Sequence, residues 1–551
     1  MRIIMKKIIY SLAIIASVLT LNSCLSDLDT LPLNETDKTA EQAYDGTLES
    51  YEKGLAYIYA SFSLVSQNDP GGSDISVPDA GQSDLMRQYM ILNEASTDAL
   101  KCIWGDSYMT GIQYNTWTAA NNEAIIAVYT RCMVTVTRVN EFLKQTSGGN
   151  VDGIAGLRAE ARLMRAFAYY LLIDLYGNPP FATEDNVGGA VPTQIGRTAL
   201  FEWIETELTE LLASDSGLSD VGVVAYPRVN KGVAQALLTR LYLNAEVYTG
   251  TARWEDTRDA AAKTIAMGYK LCSNYEELFM QDNGENSNAR QELIFTIAYD
   301  RDHTQSWGGT THLVSGSMYD NASQAVAEQL GLPTGTMLNR ERWNGYHVSN
   351  EYVENFELEG VDWNATTGLG FDRSKSDKRA FVYNVGHSKE FDITTTQSGW
   401  VCWKYNSRAS DGTVYSNDTY EKFSSIDFPV IRLAEMYMAY AEAVTRLAGG
   451  TTTDATAMGY VKALRDRAGV SMPSSLNLDF LLQERAREFM WEGQRRTDLI
   501  RYGYFTSMSF PWPYKGNIPD GKVALPSWRT IYPIIQSEIT ENPNLVQNPG
   551  Y

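Results

Sequence analysis

Between residues 155 and 176 the chain reads AGLRAEARLMRAFAYYLLIDLY, with Leu157, Ala161, Met164, Ala168, Leu171 and Leu175 at steps of three and four. That period fits one face of an α-helix and no strand, so the segment must bury its stripe against another element. Arg158, Arg162 and Arg165 lie largely off the stripe, and Gly177 with Pro179-Pro180 stops it. The same reading predicts helices over 199–213, 231–247, 254–267, 431–447, 455–468 and 481–500.

Small residues mark where helix backbones approach: Ala234, Ala236 and Ala245 in one helix, Ala434, Ala439, Ala441 and Ala443 in another. Their spacing with Tyr and Leu is similar to tetratricopeptide helix hairpins, although the consensus register is incomplete and generic helix packing gives the same pattern. Residues 68–118 and 283–426 differ in character. They are rich in Gly, Asn, Ser, Thr and Asp, carry scattered Trp and Tyr, and show no sustained helical period. A bare loop as long as 283–426 is uncommon, and long segments on a rigid scaffold are where binding residues gather. The expected fold is mainly α: one domain over 39–551, a tetratricopeptide-like helix-hairpin scaffold with a large loop-rich layer inserted.

The N-terminus stands apart. Arg2, Lys6 and Lys7 precede an apolar run over 8–21, too short to span a bilayer but suited to a secretory signal. The run ends in Leu21-Asn22-Ser23-Cys24, which looks like a bacterial lipobox: residues 1–23 are the signal and Cys24 the lipidated residue. Acyl chains on Cys24 would hold the protein on a membrane, with 24–38 as anchor and tether. Losing residues 1–23 removes three basic residues and moves the net charge from −21 to −24. That charge argues against nucleic acid as a partner. Four histidines in 551 residues argue against a His-based metal enzyme. Cys102, Cys132, Cys272 and Cys402 show no CxxC spacing and read as buried small hydrophobes.

Four motifs in order resemble the SusD/RagB family of surface nutrient-binding lipoproteins: RAEARLMRAFAYYLLIDLYGNPPF (158–181), FPVIRLAEMYMAYAEAV (428–444), ERAREFMWEGQRRTDLIRYG (484–503) and IYPIIQSEITENPNLVQNPGY (531–551). The acidic residues after Cys24 also resemble the surface-export signal of Bacteroidetes lipoproteins. In the third motif Arg485, Arg487, Arg495, Arg496 and Arg501 alternate with Glu484, Glu488, Glu492 and Asp498, which favours internal ion pairs over a phosphate site.

The resemblance implies a cell-surface, outer-membrane, lipid-anchored protein that binds glycan without cleaving it. Its implied partner is a TonB-dependent barrel of the SusC type. Similarity to the starch-binding members implies an aromatic arc of Trp104, Trp307 and Trp343, with Asp79, Arg87 and Ser107 as polar partners. The expected ligand is then an α-glucan oligosaccharide or polysaccharide. Indole faces suit the C–H faces of sugar rings, and polar side chains suit the hydroxyls. Core packing is the alternative role for these tryptophans, and is the role expected of Trp203, Trp254 and Trp491 on helices. Ser107 stands where the starch binders have an amide. Gly284 and Ser425 stand where they have acidic residues, so no metal is expected, and no other cofactor. No HExxH, GxSxG or P-loop motif is present, and no enzyme activity is expected. The alternatives are the same role for another glycan, or a nutrient-import cap for peptide or another non-glycan ligand.

Overall fold

The computed structural model describes residues 40–66, 69–120, 122–186, 191–339, 341–415 and 422–551. The expected signal, Cys24 and the tether lie outside the described residues.

The 155–176 period forms the helix Ile154–Leu175. It ends where Gly177 takes a φ of +75°, with the Tyr176 and Gly177 N–H groups both bonded to the Leu172 carbonyl. This helix packs between Glu123–Gln145 and Arg197–Leu212, and Leu48–Ser63 lies across the first two. The order then follows the chain. Arg197–Leu212 packs on Lys231–Leu243, that helix on Trp254–Ile265, and Trp254–Ile265 on Leu433–Leu447. Leu433–Leu447 in turn receives Ala455–Ala468 and Leu478–Glu488. Most of these helices rest on the one before them in the chain, which is the helix-hairpin scaffold the spacing implied. Side-chain caps fix the starts: Asn230 accepts from the Gly232 N–H and Asp454 from the Ala457 N–H, each cap contributing about 1 kcal/mol.

The helices Trp254–Ile265 and Leu433–Leu447 pack as neighbours although the long irregular segment separates them in sequence. The segment leaves and rejoins the scaffold through an antiparallel ribbon, Leu293–Ile297 paired with Phe428–Arg432. It is not bare loop. It contains the helices Gly309–Gly316 and Asp320–Gln329 and most of a small antiparallel sheet. The strand order there is Lys101–Cys102, Tyr346–Val348, Trp400–Cys402, Val382–Tyr383, so the sheet also ties in the earlier irregular stretch.

Three expectations are corrected. The 481–500 period is two helices, Leu478–Glu488 and Arg495–Arg501, parted by a turn where Trp491 and Gly493 take positive φ. Trp491 therefore lies on the turn and not on a helix, though it is buried and donates its indole N–H to the Ala99 carbonyl at 2.8 Å. The 231–247 period breaks at Asn244, whose amide takes the Arg240 carbonyl while its own oxygen accepts from Arg501. Third, the 68–118 stretch contains Leu85–Met90, running on through a π-helical turn at Ile91–Ala95. Every residue of it is buried, Arg87, Gln88, Asn93 and Glu94 included, so polar residues break the apolar run and no clean period shows. All four cysteines from Cys102 onward are buried and free, as expected.

The third motif is a buried ion network. Glu488 is bonded to Arg432, Arg379 and Arg467. Glu484 is bonded to Arg379, Arg465 and Arg487, and Glu492 to Arg432 and Lys404. Arg485 and Arg501 pair with Asp498, Arg501 also with Glu442, and Arg495 with Asp98. Arg496 departs from the expectation: it donates to the Thr530 carbonyl and packs over Tyr532 and Phe505.

Burial would raise the pKa of Glu484, but Arg379, Arg487 and Arg465 outweigh it and hold it at about 2; Glu488 is held lower still by Arg467, Arg432 and Arg379. Glu94 is the opposite case. Burial pushes it up to about 8, offset only in part by the N–H groups of Gly493 and Gln494.

Removing the Glu488 carboxylate by Glu488→Ala leaves three arginines short of a partner, and we expect a loss of about 3–5 kcal/mol in denaturant unfolding. In the intact protein the stability from Glu484 and Glu488 is complete above the ordinary carboxylate pKa. It drains away as pH falls from about 4.5 through about 2. Glu94 has the reverse sign: its folded pKa is raised, so stability falls as pH climbs from about 4.5 to about 8. Glu94→Gln should raise the melting temperature at pH 8 and leave it little changed at pH 5.

Candidate functional site

The structure brings Trp104, Trp343 and Trp307 into one strip, all three partly buried. The Trp104 and Trp343 ring centroids are 6.2 Å apart with planes at 53°, and Trp343 and Trp307 are 6.1 Å apart at 54°. Each ring is thus steeply inclined to its neighbour, and the three do not form a flat, coplanar row. Two further rings carry no mark in the sequence. Phe423 stands 4.8 Å from Trp307 and is partly buried, extending the strip. Tyr346 is fully buried 4.9 Å from Trp104 and supports it from within.

Backbone contacts set the positions. The helix Gly309–Gly316 begins just after Trp307, and its C-terminal carbonyls catch the Trp343 loop. Ser315 accepts from the Trp343 N–H at 2.8 Å, Gly316 from Gly345 at 2.6 Å, and Met318 from Asn344 at 3.2 Å. Trp104 closes on that loop: its indole N–H reaches the Trp343 carbonyl at 3.3 Å. A Cβ at Gly345 would stand 2.0 Å from the Trp104 ring, so only glycine allows this approach. Trp104 itself follows the strand Lys101–Cys102, whose partner strand starts at Tyr346.

The polar residues are placed unequally. Arg87 is 8% exposed and lies below the strip, its guanidinium 3.5 Å from the Trp307 carbonyl. Burial opposes its charge, but Tyr346, Tyr108 and Asp84 outweigh that and raise its pKa. Ser107 is exposed at the first turn of Ser107–Gln113, three residues after Trp104. Asp79 is exposed and caps the turn Ala80–Gln82, accepting from the Gly81 N–H at 2.9 Å. The two turns are joined by Tyr108, whose hydroxyl donates to Gln82 at 2.8 Å. The floor under the strip also holds His312, buried and pushed down to about 3 by burial and by Arg87, hence a neutral ring. Trp203 and Trp254 do lie on helices, Trp203 edge-on to Tyr169 and Phe181, and Trp254 under Arg446.

Gly284 and Ser425 carry no carboxylate. The nearby Asp427 is taken up by the Tyr226 hydroxyl at 2.6 Å and the Tyr299 N–H at 2.8 Å, and burial pushes it up to about 6. Among the described residues no group of three or more His, Cys, Asp or Glu is placed to hold a metal ion, and no helix is long and apolar enough to cross a membrane.

Three partly exposed indoles above the charged Arg87 and the neutral His312 can hold a ligand with apolar faces and hydroxyl rims. Comparison with known proteins places the chain. The SusD family matches residues 358–551, and a family described as "Starch-binding associating with outer membrane" matches 75–243. The starch-binding protein SusD of Bacteroides thetaiotaomicron is 32% identical over 584 aligned residues, covering 99% of both chains. A SusD-like protein of Bacteroides ovatus is 24% identical over 66% of this chain and 62% of its own. Among solved structures, a SusD-like carbohydrate-binding protein from Bacteroides fragilis superposes with a TM-score of 0.69 at 20% identity, covering 91% of this chain and 99% of its own. A laminarin-binding SusD-like protein gives 0.60 at 20% identity with the same coverage. The fold, the motif order and a full-length relative agree: the chain belongs to the SusD family.

Proposed function

We propose that this protein captures starch or malto-oligosaccharide at the cell surface and passes it to a SusC-type TonB-dependent barrel in the outer membrane. The observation that carries the reading is the strip of Trp104, Trp343 and Trp307, its rings 6.2 and 6.1 Å apart and mutually inclined by 53° and 54°. An α-glucan coils, so its sugar faces are inclined to one another, and mutually inclined indoles suit such faces better than a coplanar row would. Arg87, Asp79 and Ser107 supply polar groups for hydroxyls, with Ser107 reaching less far than an amide. The full-length relative named a starch-binding protein supports the same ligand class.

Lipidation at Cys24 would tether the body to the outer membrane, and the helical scaffold would face the barrel while the inserted layer holds sugar. The protein needs no cofactor for this and performs no cleavage. Single-site affinity is modest, because water competes for every exposed hydroxyl contact. Many copies on one polymer raise the effective affinity.

The test is affinity electrophoresis of residues 25–551 in gels containing starch, dextran, inulin or xylan. Retardation by starch alone is expected. Trp307→Ala should weaken malto-oligosaccharide binding by about 2 kcal/mol, roughly thirtyfold, as a central aromatic contact does. Retardation by another glycan instead would discard the α-glucan ligand and keep the glycan role. Unchanged mobility in every gel would count for a non-glycan nutrient.

A further inference from the structure

Asp84 is 1% exposed and lies beneath the Trp307 loop, 223 residues away in sequence. Its carboxylate has three donors. One oxygen accepts from the Gly309 N–H at 2.8 Å and from the Arg87 N–H at 2.9 Å; the other accepts from the Ser306 hydroxyl at 3.0 Å. The Ser306 oxygen in turn accepts from the Gly308 N–H at 2.9 Å. A Cβ on Gly308 would stand 2.1 Å from the Asp84 Cβ, so the loop backbone rests directly on this side chain. Residues 306, 308 and 309 are thus all bonded to, or pressed on, one aspartate, and Trp307 is the residue between them. The same carboxylate caps the helix Leu85–Met90, which carries Arg87, whose guanidinium points at the Trp307 carbonyl.

We propose that Asp84 is the positioning residue of the aromatic strip. It latches the Trp307 loop to the Arg87 helix and, through Gly309–Gly316, sets where the Trp343 loop is caught. Asp84 touches no ligand; it acts through Trp307. A carboxylate suits the task because it accepts several N–H and O–H donors at once, and its charge strengthens each bond. Its burial is tolerated because those donors replace water. Asn in its place keeps the oxygen that serves Gly309 and Arg87 but presents an NH2 group to Ser306. Ala removes every acceptor.

The affinity readout rests on the glycan-binding reading above, so the test includes a second readout that needs no ligand. The mature chain is labelled with 5-fluorotryptophan, and the Trp307 resonance is assigned as the one missing from Trp307→Phe. In Asp84→Ala that resonance should shift and broaden, with the Trp343 resonance following. Those of the core residues Trp400 and Trp403 should stay in place, and Asp84→Asn should fall between Asp84→Ala and the unchanged protein. Malto-oligosaccharide affinity should drop about tenfold in Asp84→Ala, the size of one charge-assisted hydrogen bond, and by clearly less when Trp307 is already Ala. An unmoved Trp307 resonance overturns the proposal. So does a general shift of all the tryptophans, or an affinity loss that is undiminished in the Trp307→Ala background. Should Asp84→Ala fail to fold, Ser306→Ala removes one of the three donors from outside the helix cap and is read by the same criteria. If the unchanged protein binds no malto-oligosaccharide, the α-glucan reading fails while the fluorine spectra still decide the latch.

Discussion

Arg432 is the residue on which the two halves of this molecule meet. It ends the ribbon strand that brings the inserted layer back to the scaffold, and it is buried. Its guanidinium bonds Glu488 and Glu492 from the last hairpin and Glu292 from the outgoing side of the ribbon. Glu488 and Glu492 then reach Arg379 and Lys404 in the layer, and Arg467 in the scaffold. Burying one charge alone would cost several kcal/mol, and the cost is met here only because every charge has several partners. Such a network is geometrically demanding: a guanidinium fork accepts carboxylates in few directions. It therefore fixes the angle between layer and scaffold, which apolar packing alone would leave looser.

The scaffold was legible in the sequence wherever small and apolar residues recur at three- and four-residue steps. Residues 154–175 and 455–468 could be read almost to their ends on that spacing, although 163–175 is wholly buried. Residues 85–95 could not, because the buried Arg87, Gln88, Asn93 and Glu94 interrupt the apolar steps. The break at Trp491 was hidden for a related reason. Both short helices bury the same kinds of residue, so the period runs across the turn that only positive φ reveals. The alternating charges of 484–501 announced ion pairs but not their partners, since Arg379, Lys404 and Arg432 lie far away in sequence.

The candidate site shows the same division. Trp104, Trp307 and Trp343 could be named by resemblance to a family, not from spacing, because residues 203 positions apart have no local pattern. Phe423 could not be named, since a lone Phe on a polar segment looks like any core residue until its neighbour is known. Asp84 was as hidden as Phe423. Its importance lies in three donors, two of them backbone groups, and a backbone N–H is the same for every sequence. What the sequence displays is the chemistry that meets the ligand; what holds that chemistry still is mostly main chain.

The paired strands Leu293–Ile297 and Phe428–Arg432 have a consequence for change over time. They clamp both ends of the inserted segment side by side, so the scaffold feels the clamp and not the length of what lies beyond it. Closing a longer loop costs little, about 0.6 kcal/mol for each doubling. Insertions, deletions and replacements in the outer surface, away from Arg379 and Lys404 and their bonds to Glu484, Glu488 and Glu492, can therefore accumulate while the helices go on stacking as before. One helical frame can in this way be refitted to new nutrients by rewriting what it carries, with the doorway left unaltered.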